Sequence, residues 1–303
     1  MLVDRPGLAA WVASLGIVVA YVGSLYVWPA RHRAPRDAPG VIKRRFLSLA
    51  GACALACLPL HRALLASDVS PRPPSLARAL GVHPDPVAAL ASVAASLGLA
   101  AALFLGPLVA LALDGRLLPR FADALRLDNL VKWRNYVVAP ATEEFAFRAC
   151  VAPLLLVSGA ATLRATVFAS PLLFGLAHVH HFAELRRRTG SASAAALGVA
   201  AQFTYTVVFG WFAAFAFLRT GHVAGPIAAH AFCNVMGLPD VSRAVTHPKA
   251  PVIAAAYVLG IAVFIGGLWP ATDPAMHPAS TWDAFEAASA SLVAKRIRNR
   301  TAR

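Results

Sequence analysis

The sequence predicts an all-α protein, a polytopic bundle of about eight transmembrane helices. Hydrophobic residues make up 58% of the 303 residues and charged residues only 14%, whereas about 25% is usual in soluble domains. The apolar residues form long continuous runs, while a membrane β-barrel would show short alternating segments. These runs are rich in alanine and glycine, which let helices pack closely in lipid.

Eight apolar segments approach the roughly 20 residues that a helix needs to cross a bilayer. They are residues 8–28, 46–66, 87–113, 135–157, 161–180, 194–218, 223–238 and 251–269. The first is too long for the apolar core of a signal peptide, so a retained anchor is expected. Residues 67–86 form a proline-rich connector, and residues 273–303 form a more polar tail that is expected to be either a surface helix or disordered. The whole chain, 1–303, is predicted to be one membrane-embedded domain.

The loops between these segments account for the net charge of +14. Arginine and lysine concentrate in the first, third and fifth loops, at residues 31–45, 116–134 and 186–188. Because cytoplasmic loops collect basic residues, these loops are predicted to be cytoplasmic and the N-terminus to lie on the other side. The basic segment 295–303 disagrees, since eight spans place it opposite the cytoplasm. No nucleic-acid-binding motif accompanies the charge, so nucleic acid is not an expected partner.

Three charged residues interrupt the fourth apolar segment: Glu143, Glu144 and Arg148. One charge at membrane depth costs about 2.5–3.5 kcal/mol, so the three are expected to face a protein interior or a wet cavity. Glu144 and Arg148 are four residues apart and can pair on one helical face. Glu143 then lies about 100° around the helix, free for another partner. Ionisable residues inside a membrane are functional candidates.

Two further segments supply candidate partners for Glu143. His178 ends the fifth segment, with Phe174 one turn before it and His181 three residues after it. His230 and Asn234 are four residues apart and share one face of the seventh segment. Because successive segments run in opposite directions, these side chains and the glutamates are predicted to converge in the cytoplasmic half of the bundle.

Carboxylates and histidines together suit more than one chemistry. Both are zinc ligands, but the H-E-x-x-H motif of zinc proteases is absent. A G-x-S-x-G nucleophile turn is absent as well. A carboxylate that activates water with help from a histidine fits the residues better. We therefore expect no metal and no cofactor. The four cysteines lie in apolar segments without metal-type spacing and are expected to be packing residues.

Three motifs in this order resemble those of the CPBP family of membrane proteases. EEFAFR is similar to its EExxxR motif, FGLAH to its FxxxH motif and HAFCN to its HxxxN motif. The stretches FGLAHVHH, QFTYTVVFG and RTGHVAGPIAAHAFCN resemble its type II CAAX prenyl endopeptidase branch, the Ras and a-factor converting enzymes. The clear match covers about residues 135–240.

The resemblance implies an eight-helix protease of the endoplasmic reticulum membrane whose active site faces the cytosol. Its substrates would be farnesylated or geranylgeranylated CaaX proteins, such as Ras-like small GTPases, held at the lipid bilayer. The enzyme would cut after the prenylated cysteine and release the last three residues.

The resemblance also implies a role for each motif residue. Glu143, helped by His178, would activate the water, and His230 and Asn234 would donate hydrogen bonds to the oxyanion. The remaining motif residues and His181 would support them: Glu144, Arg148 and Phe174. Spacing alone leaves open which glutamate is the base, and the resemblance favours Glu143. Aromatic residues nearby are candidates for a prenyl groove, although helix packing or anchoring at the membrane interface is the commoner role for any one of them. They are Phe203, Tyr205, Phe209, Trp211 and Phe215.

Two other functions fit the same buried charges. Intramembrane Glu, Arg and His also mark ion or proton paths in transporters and channels, although no inverted repeat is visible here. A non-catalytic scaffold that binds prenylated tails would share the membrane location, but a binder has no need of a base.

Overall fold

The computed structural model describes residues 5–29, 35–67 and 74–287, and contains helices but no strand across these ranges. The α-helices are α1 (Arg5–Ser24), α2 (Pro39–Leu65), α3 (Leu76–Ala79), α4 (Pro86–Leu103), α5 (Leu105–Leu113), α6 (Leu117–Leu125), α7 (Leu130–Trp133), α8 (Ala139–Glu144), α9 (Ala152–Val157), α10 (Leu163–Leu176), α11 (Phe182–Thr189), α12 (Ala192–Thr220), α13 (Ala224–Met236), α14 (Arg243–Thr246) and α15 (Ala250–Gly267). Two π-helical segments (Arg134–Val138 and Phe145–Val151) and two 3₁₀ turns (Val179–His181 and Pro274–Met276) join them.

Five of these helices are long and apolar enough to cross a membrane, namely α1, α2, α4, α12 and α15. The chain is therefore a multi-pass helical membrane protein, and the predicted fold class is confirmed. The count of eight spans is not confirmed. The fifth and seventh apolar segments form α10 and α13, which have only 14 and 13 residues, fewer than the roughly 20 that a perpendicular span needs.

The third apolar segment, drawn from the sequence as one continuous run, forms two helices, and the first of them is a candidate span. The break lies at Phe104, between α4 and α5. Pro107 follows three residues later, and it has no N–H to donate to the carbonyl of Leu103. A proline ring also clashes with the carbonyl four residues before it. The helix therefore ends and restarts at this point.

Small residues bring the site-bearing helix α13 close to α4. Gly225 on α13 lies so near Ser92 and Ser96 of α4 that an added Cβ atom would overlap their side chains. The Ser92 hydroxyl also hydrogen-bonds Thr220 Oγ1, at 2.7 Å, at the end of α12. This close approach and hydrogen bonding hold the ends of α12 and α13 against α4, as is usual for small and hydroxyl residues in membrane bundles.

The predicted polar tail is packed into the protein over the part that the structure describes. Ala279 and Phe285 are buried, and Trp282 lies beside the guanidinium of Arg219 on α12. Residues 274–285 are therefore anchored to the fold by these side chains, while other residues of the segment, such as Met276 and Asp283, are exposed. The rest of the tail, residues 288–303, lies outside the described residues, as do residues 30–34 of the first basic loop and 68–73 of the connector.

Candidate active site

The helix that carries the two glutamates alternates between α and π turns from Leu130 to Val157. Each π segment ends two residues before a proline, at Pro140 and at Pro153. A proline cannot donate the i→i−4 hydrogen bond, so the carbonyl four residues before it is released from the α pattern. Single π turns of this kind are frequent at functional sites. Here they surround the Glu143–Glu144 pair.

Neighbouring helices fix this helix at Thr142, next to the glutamates. The Thr142 hydroxyl lies 2.9 Å from the Tyr21 hydroxyl of α1 and donates to the Val138 carbonyl at 2.8 Å. The Cys53 thiol of α2 approaches the Thr142 carbonyl at 3.6 Å. Hydrogen bonds from α1 and α2 therefore hold the backbone immediately before Glu143.

Glu144 is fully buried and binds two cationic or polar partners through one oxygen. Its Oε1 accepts a hydrogen bond from Arg148 Nη1 at 3.1 Å, so the ion pair that the spacing predicted is present. The same oxygen lies 2.7 Å from His230 Nδ1. Since a carboxylate can only accept, His230 donates its Nδ1 hydrogen to Glu144. Glu144 therefore orients both side chains.

Arg148 is also held by two aromatic rings. Its guanidinium carbon lies 4.2 Å from the centre of the Phe174 ring and 5.6 Å from that of Phe209. The faces of aromatic rings attract cations, most strongly where water is excluded. Phe174 on α10, the phenylalanine of the FxxxH motif, therefore stabilises the buried charge of Arg148.

Glu143 faces a cavity while Glu144 does not. Its nearest charged partner is His230, whose Nε2 lies 3.7 Å from Glu143 Oε2. This distance is too long for a direct hydrogen bond. Glu143 is thus placed away from Arg148, as its position on the helix predicted, and its carboxylate is directed at the open space.

His178 lies at the end of α10 and lines the same cavity. Its Nδ1 lies 2.9 Å from the Phe174 carbonyl oxygen. Because a carbonyl only accepts, Nδ1 carries the hydrogen, and in the neutral ring Nε2 is left as an acceptor. The Phe174 ring lies edge-on to His178 and to His230, at centroid distances of 5.0 and 6.2 Å.

Asn234 also lines the cavity, but one of its hydrogens is already used. Its Nδ2 donates to the carbonyl of Asn135 at 2.8 Å. An amide nitrogen carries two hydrogens, so one remains for a ligand. His181 has other neighbours: its Nδ1 is 3.0 Å from Gln202 Oε1, and its ring is 5.8 Å from that of His178.

A single cavity of about 1350 Å³ joins these groups. Its lining includes Glu143, His178, His181, His230 and Asn234, together with an aromatic wall. No group of three or more His, Cys, Asp or Glu side chains within the described ranges is arranged to hold a metal ion. A carboxylate, two histidines and an amide around one cavity can bind and polarise a water molecule.

Comparison with known proteins identifies the family. Residues 128–236 match the family model of the type II CAAX prenyl endopeptidases (Rce1-like). The chain is 41% identical over 289 residues to CAAX prenyl protease 2 of Homo sapiens, which covers 90% of this chain and 84% of that protein. The chain belongs to the type II CAAX prenyl endopeptidase family.

Other relatives of this endopeptidase match over similar lengths. CAAX prenyl protease 2 of Rattus norvegicus is 37% identical, over 90% of this chain and 83% of that protein. Probable CAAX prenyl protease 2 of Schizosaccharomyces pombe is 33% identical, over 88% of this chain and 94% of that protein. No solved structure matches the chain.

Four of the five candidate aromatic residues line the endopeptidase cavity, and the fifth packs between helices. Tyr205, Phe209, Trp211 and Phe215 line the cavity, but Phe203 does not. Phe203 instead packs against Gly175 of α10, where an added Cβ would be 2.8 Å from its ring. The missing side chain of Gly175 provides the space that the Phe203 ring fills between α10 and α12.

Sequence analysis missed three polar residues that position the motif side chains. The backbone carbonyl of Asn135 accepts a hydrogen bond from the Asn234 side chain, and the side-chain oxygen of Gln202 lies 3.0 Å from His181 Nδ1. Arg120 donates to the carbonyls of Val235 and Met236, both at 2.9 Å, directly after Asn234. Gln202 could have been found from the sequence, because it is a polar residue within a long apolar helix. The role of Arg120 could not, because it contacts backbone atoms 115 residues later.

Proposed function

We propose that this endopeptidase cuts CaaX proteins after the farnesylated or geranylgeranylated cysteine and releases the C-terminal tripeptide. Ras-like small GTPases are the substrate class. The relatives named CAAX prenyl protease 2 support the activity. The observation that carries the proposal is one cavity lined by Glu143, His178, His230 and Asn234, with aromatic residues on its wall.

In the proposed reaction Glu143 binds a water molecule and removes its proton. Its carboxylate faces the cavity, whereas Glu144 is fully buried and already accepts two hydrogen bonds. The acceptor Nε2 of His178 orients the same water. The hydroxide attacks the carbonyl carbon that follows the prenylated cysteine, and the proton passes from Glu143 to the leaving amine.

The developing oxyanion accepts hydrogen bonds from Asn234 and His230. Asn234 has one free Nδ2 hydrogen after its bond to Asn135. His230 donates its Nδ1 hydrogen to Glu144, so donation from Nε2 requires the imidazolium form, in which both ring nitrogens carry hydrogen. Preorganised donors of this kind stabilise the transition state more than the substrate.

The cavity suits the lipid part of the substrate as well as its peptide. The prenyl chain contributes about 0.8 kcal/mol per buried methylene in an apolar environment. Residues Tyr205, Phe209, Trp211 and Phe215 provide an apolar wall beside the polar groups. A prenyl group on this wall places the following peptide bond near Glu143.

We propose the endoplasmic reticulum membrane as the location, with the site facing the cytosol. The cavity lining includes Arg36, Arg134 and Glu184, which belong to the first, third and fifth loops or their edges. These are the basic loops, and basic loops of membrane proteins lie on the cytoplasmic side. The cavity therefore opens on the side where prenylated proteins are made.

The test uses the full chain purified in detergent, a farnesylated CaaX peptide and mass spectrometry of the products. We expect an intact tripeptide from the prenylated peptide and none from its unprenylated counterpart. Glu143→Gln is expected to abolish release, while Glu184→Gln, at the cavity mouth, retains it. Release is expected to persist after treatment with a metal chelator.

Binding of the prenylated peptide without cleavage by the wild-type protein would contradict the proposal and favour a scaffold. Inhibition by chelator, reversed by added zinc, would replace the proposed mechanism with a metal-dependent one. Equal activity of Glu143→Gln and wild type would remove Glu143 from the role of base.

A further inference from the structure

The cavity lining includes a group of cations that the proposed reaction does not use. Arg36, Arg45 and Arg134 all line the cavity that Glu143 also lines. Arg36 lies in the first loop, Arg45 in the second turn of α2, and Arg134 near the start of the helical run that carries the glutamates. Three separate parts of the chain thus contribute positive charge to one cavity.

Two of these arginines have carboxylate partners. Arg134 Nη1 lies 2.7 Å from Asp37 Oδ1, and this hydrogen bond lowers the pKa of Asp37 below its usual value. Arg36 Nη1 lies 4.0 Å from Glu184 Oε2. Their charges are therefore partly balanced within the protein.

Arg45 has no such partner among the described residues. No carboxylate lies within 4.0 Å of its guanidinium, and its Nε is buried without a hydrogen-bond acceptor. Arg36 and Arg134 are close enough to act on Arg45 electrostatically. A half-buried cation beside two others is unfavourable unless an anion compensates it. Glu184, the partner of Arg36, also acts on Arg45, but no carboxylate of the described residues contacts Arg45 directly. Arg45 lines the cavity.

The three arginines and Glu143 line the same cavity, which fits a ligand that carries a negative charge near its scissile bond. A single bound molecule can therefore contact both the cations and the proposed base. Every CaaX tail ends in an α-carboxylate. Three extended residues span about 10 Å, and the cavity of about 1350 Å³ that Glu143 and Arg45 both line has room for such a segment.

We propose that Arg45 binds the terminal α-carboxylate of the CaaX tail. This inference rests on the proposed function and names a specificity residue for it. A guanidinium presents paired N–H donors in the geometry of a carboxylate. Holding the chain end at Arg45 sets the distance from the C-terminus to the cut, so that three residues are released. It also selects true C-termini over internal sequences.

The test compares two farnesylated CaaX peptides that differ only at the end, a free acid and a C-terminal amide. We expect the wild-type protein to have a kcat/KM about 10- to 100-fold higher for the acid, the effect of hydrogen bonds between charged groups. Arg45→Gln is expected to reduce the value for the acid to that for the amide, and to leave the amide unchanged. Arg45→Lys is expected to retain part of the preference.

Lys43→Gln is the matched control, because this substitution removes one positive charge from an exposed position on the same helix. It is expected to retain the full preference for the acid. The binding of both peptides to Glu143→Gln is measured in parallel, so that recognition is assessed without cleavage. Thermal unfolding of each variant in detergent shows whether it is folded.

Equal cleavage of acid and amide by the wild type would overturn the role of Arg45 and leave the proposed function standing. So would a preference that survives in Arg45→Gln. If the wild type cleaves neither peptide, the proposed function fails. The binding measurement then decides the inference by itself: equal binding of acid and amide overturns it, and tighter binding of the acid that is lost with Arg45→Gln supports it.

Discussion

His230 and Glu144 lie on different helices, 86 residues apart in sequence, and are joined by a 2.7 Å contact between Nδ1 and Oε1. The same carboxylate oxygen accepts a hydrogen bond from Arg148. A buried carboxylate thus connects α13 to the helical run that carries the EExxxR motif. The two adjacent glutamates consequently have different surroundings, since Glu144 is fully buried with its Oε1 bonded to two partners and Glu143 lines a cavity. This difference supports Glu143 as the base.

Glu144→Ala is predicted to destabilise the protein by about 3–5 kcal/mol, because it leaves the charge of Arg148 buried and unpaired. Replacement of both partners, in Glu144→Gln with Arg148→Met, is predicted to recover most of the stability. Activity is not expected to return, since His230 loses its carboxylate. Thermal unfolding in detergent and peptide cleavage measure the two effects. A double variant no more stable than Glu144→Ala would contradict the predicted coupling.

Asn234→Ala is predicted to lower kcat about 10²–10³-fold with little change in KM, as for the loss of one oxyanion donor. The residue also donates to the Asn135 carbonyl, so a stability loss of about 0.5–1.5 kcal/mol is expected. Steady-state kinetics on a farnesylated peptide separate the two contributions. A rise in KM at unchanged kcat would show that Asn234 binds substrate and does not stabilise the transition state.

Arg120→Gln is predicted to lower kcat by releasing the end of α13. Arg120 donates to the carbonyls of Val235 and Met236, both at 2.9 Å, and hydrogen bonds from a charged group contribute about 1.5–3 kcal/mol. Without these bonds the end of α13 is expected to move, and Asn234, the residue before Val235, is then displaced from its position as oxyanion donor. Arg116→Gln, at an exposed position one turn earlier, is the control and is expected to behave as wild type. If both variants lose activity equally, a general charge effect replaces the proposed positioning role.

Gly225→Ala is predicted to destabilise the bundle by about 1–3 kcal/mol, the usual cost of overpacking. The new methyl group would overlap Ser92 and Ser96 of α4. Gly98→Ala on α4 is the matched control, because nothing lies within 4 Å of its Cβ position. Gly225→Ala is expected to lower the thermal unfolding temperature, whereas Gly98→Ala is expected to leave it unchanged or raise it. Similar values for both would show that helix propensity, and not close packing, decides the effect.

Much of the candidate site was accessible from local sequence. The spacing of Glu144 and Arg148 predicted their ion pair, because residues four apart in a helix share a face. The same geometry left Glu143 for a different partner, and the structure places His230 nearest to it. By contrast, the contacts of Asn234 with Asn135 and of Arg120 with α13 join residues that are 99 or more positions apart. No local pattern encodes such contacts.

Some details of the fold went beyond what the sequence specified. The third segment contains one candidate span, α4, which ends at Leu103 because Pro107 cannot continue the helix. Phe203 fills the space left by Gly175 and packs between helices, the commoner role for any single aromatic residue in a helix bundle. The segment from 273 onward, expected to be a surface helix or disordered, is helical at residues 282–287, with Phe285 buried and Trp282 beside Arg219. In the last two cases neighbouring side chains, and not the local sequence, determined the detail.

Hydrophobicity and its arrangement determined, from the sequence alone, that this protein is a helical membrane bundle with charges in its interior. Those properties are local, since the free energy of placing each segment in lipid depends on its own residues. Only the tertiary structure decided which glutamate is buried, which acceptors His178 and His230 bond through Nδ1, and that Arg45 lines the cavity with no carboxylate of the described residues in direct contact. These properties depend on which atoms surround each group, and helices distant in sequence supply those atoms.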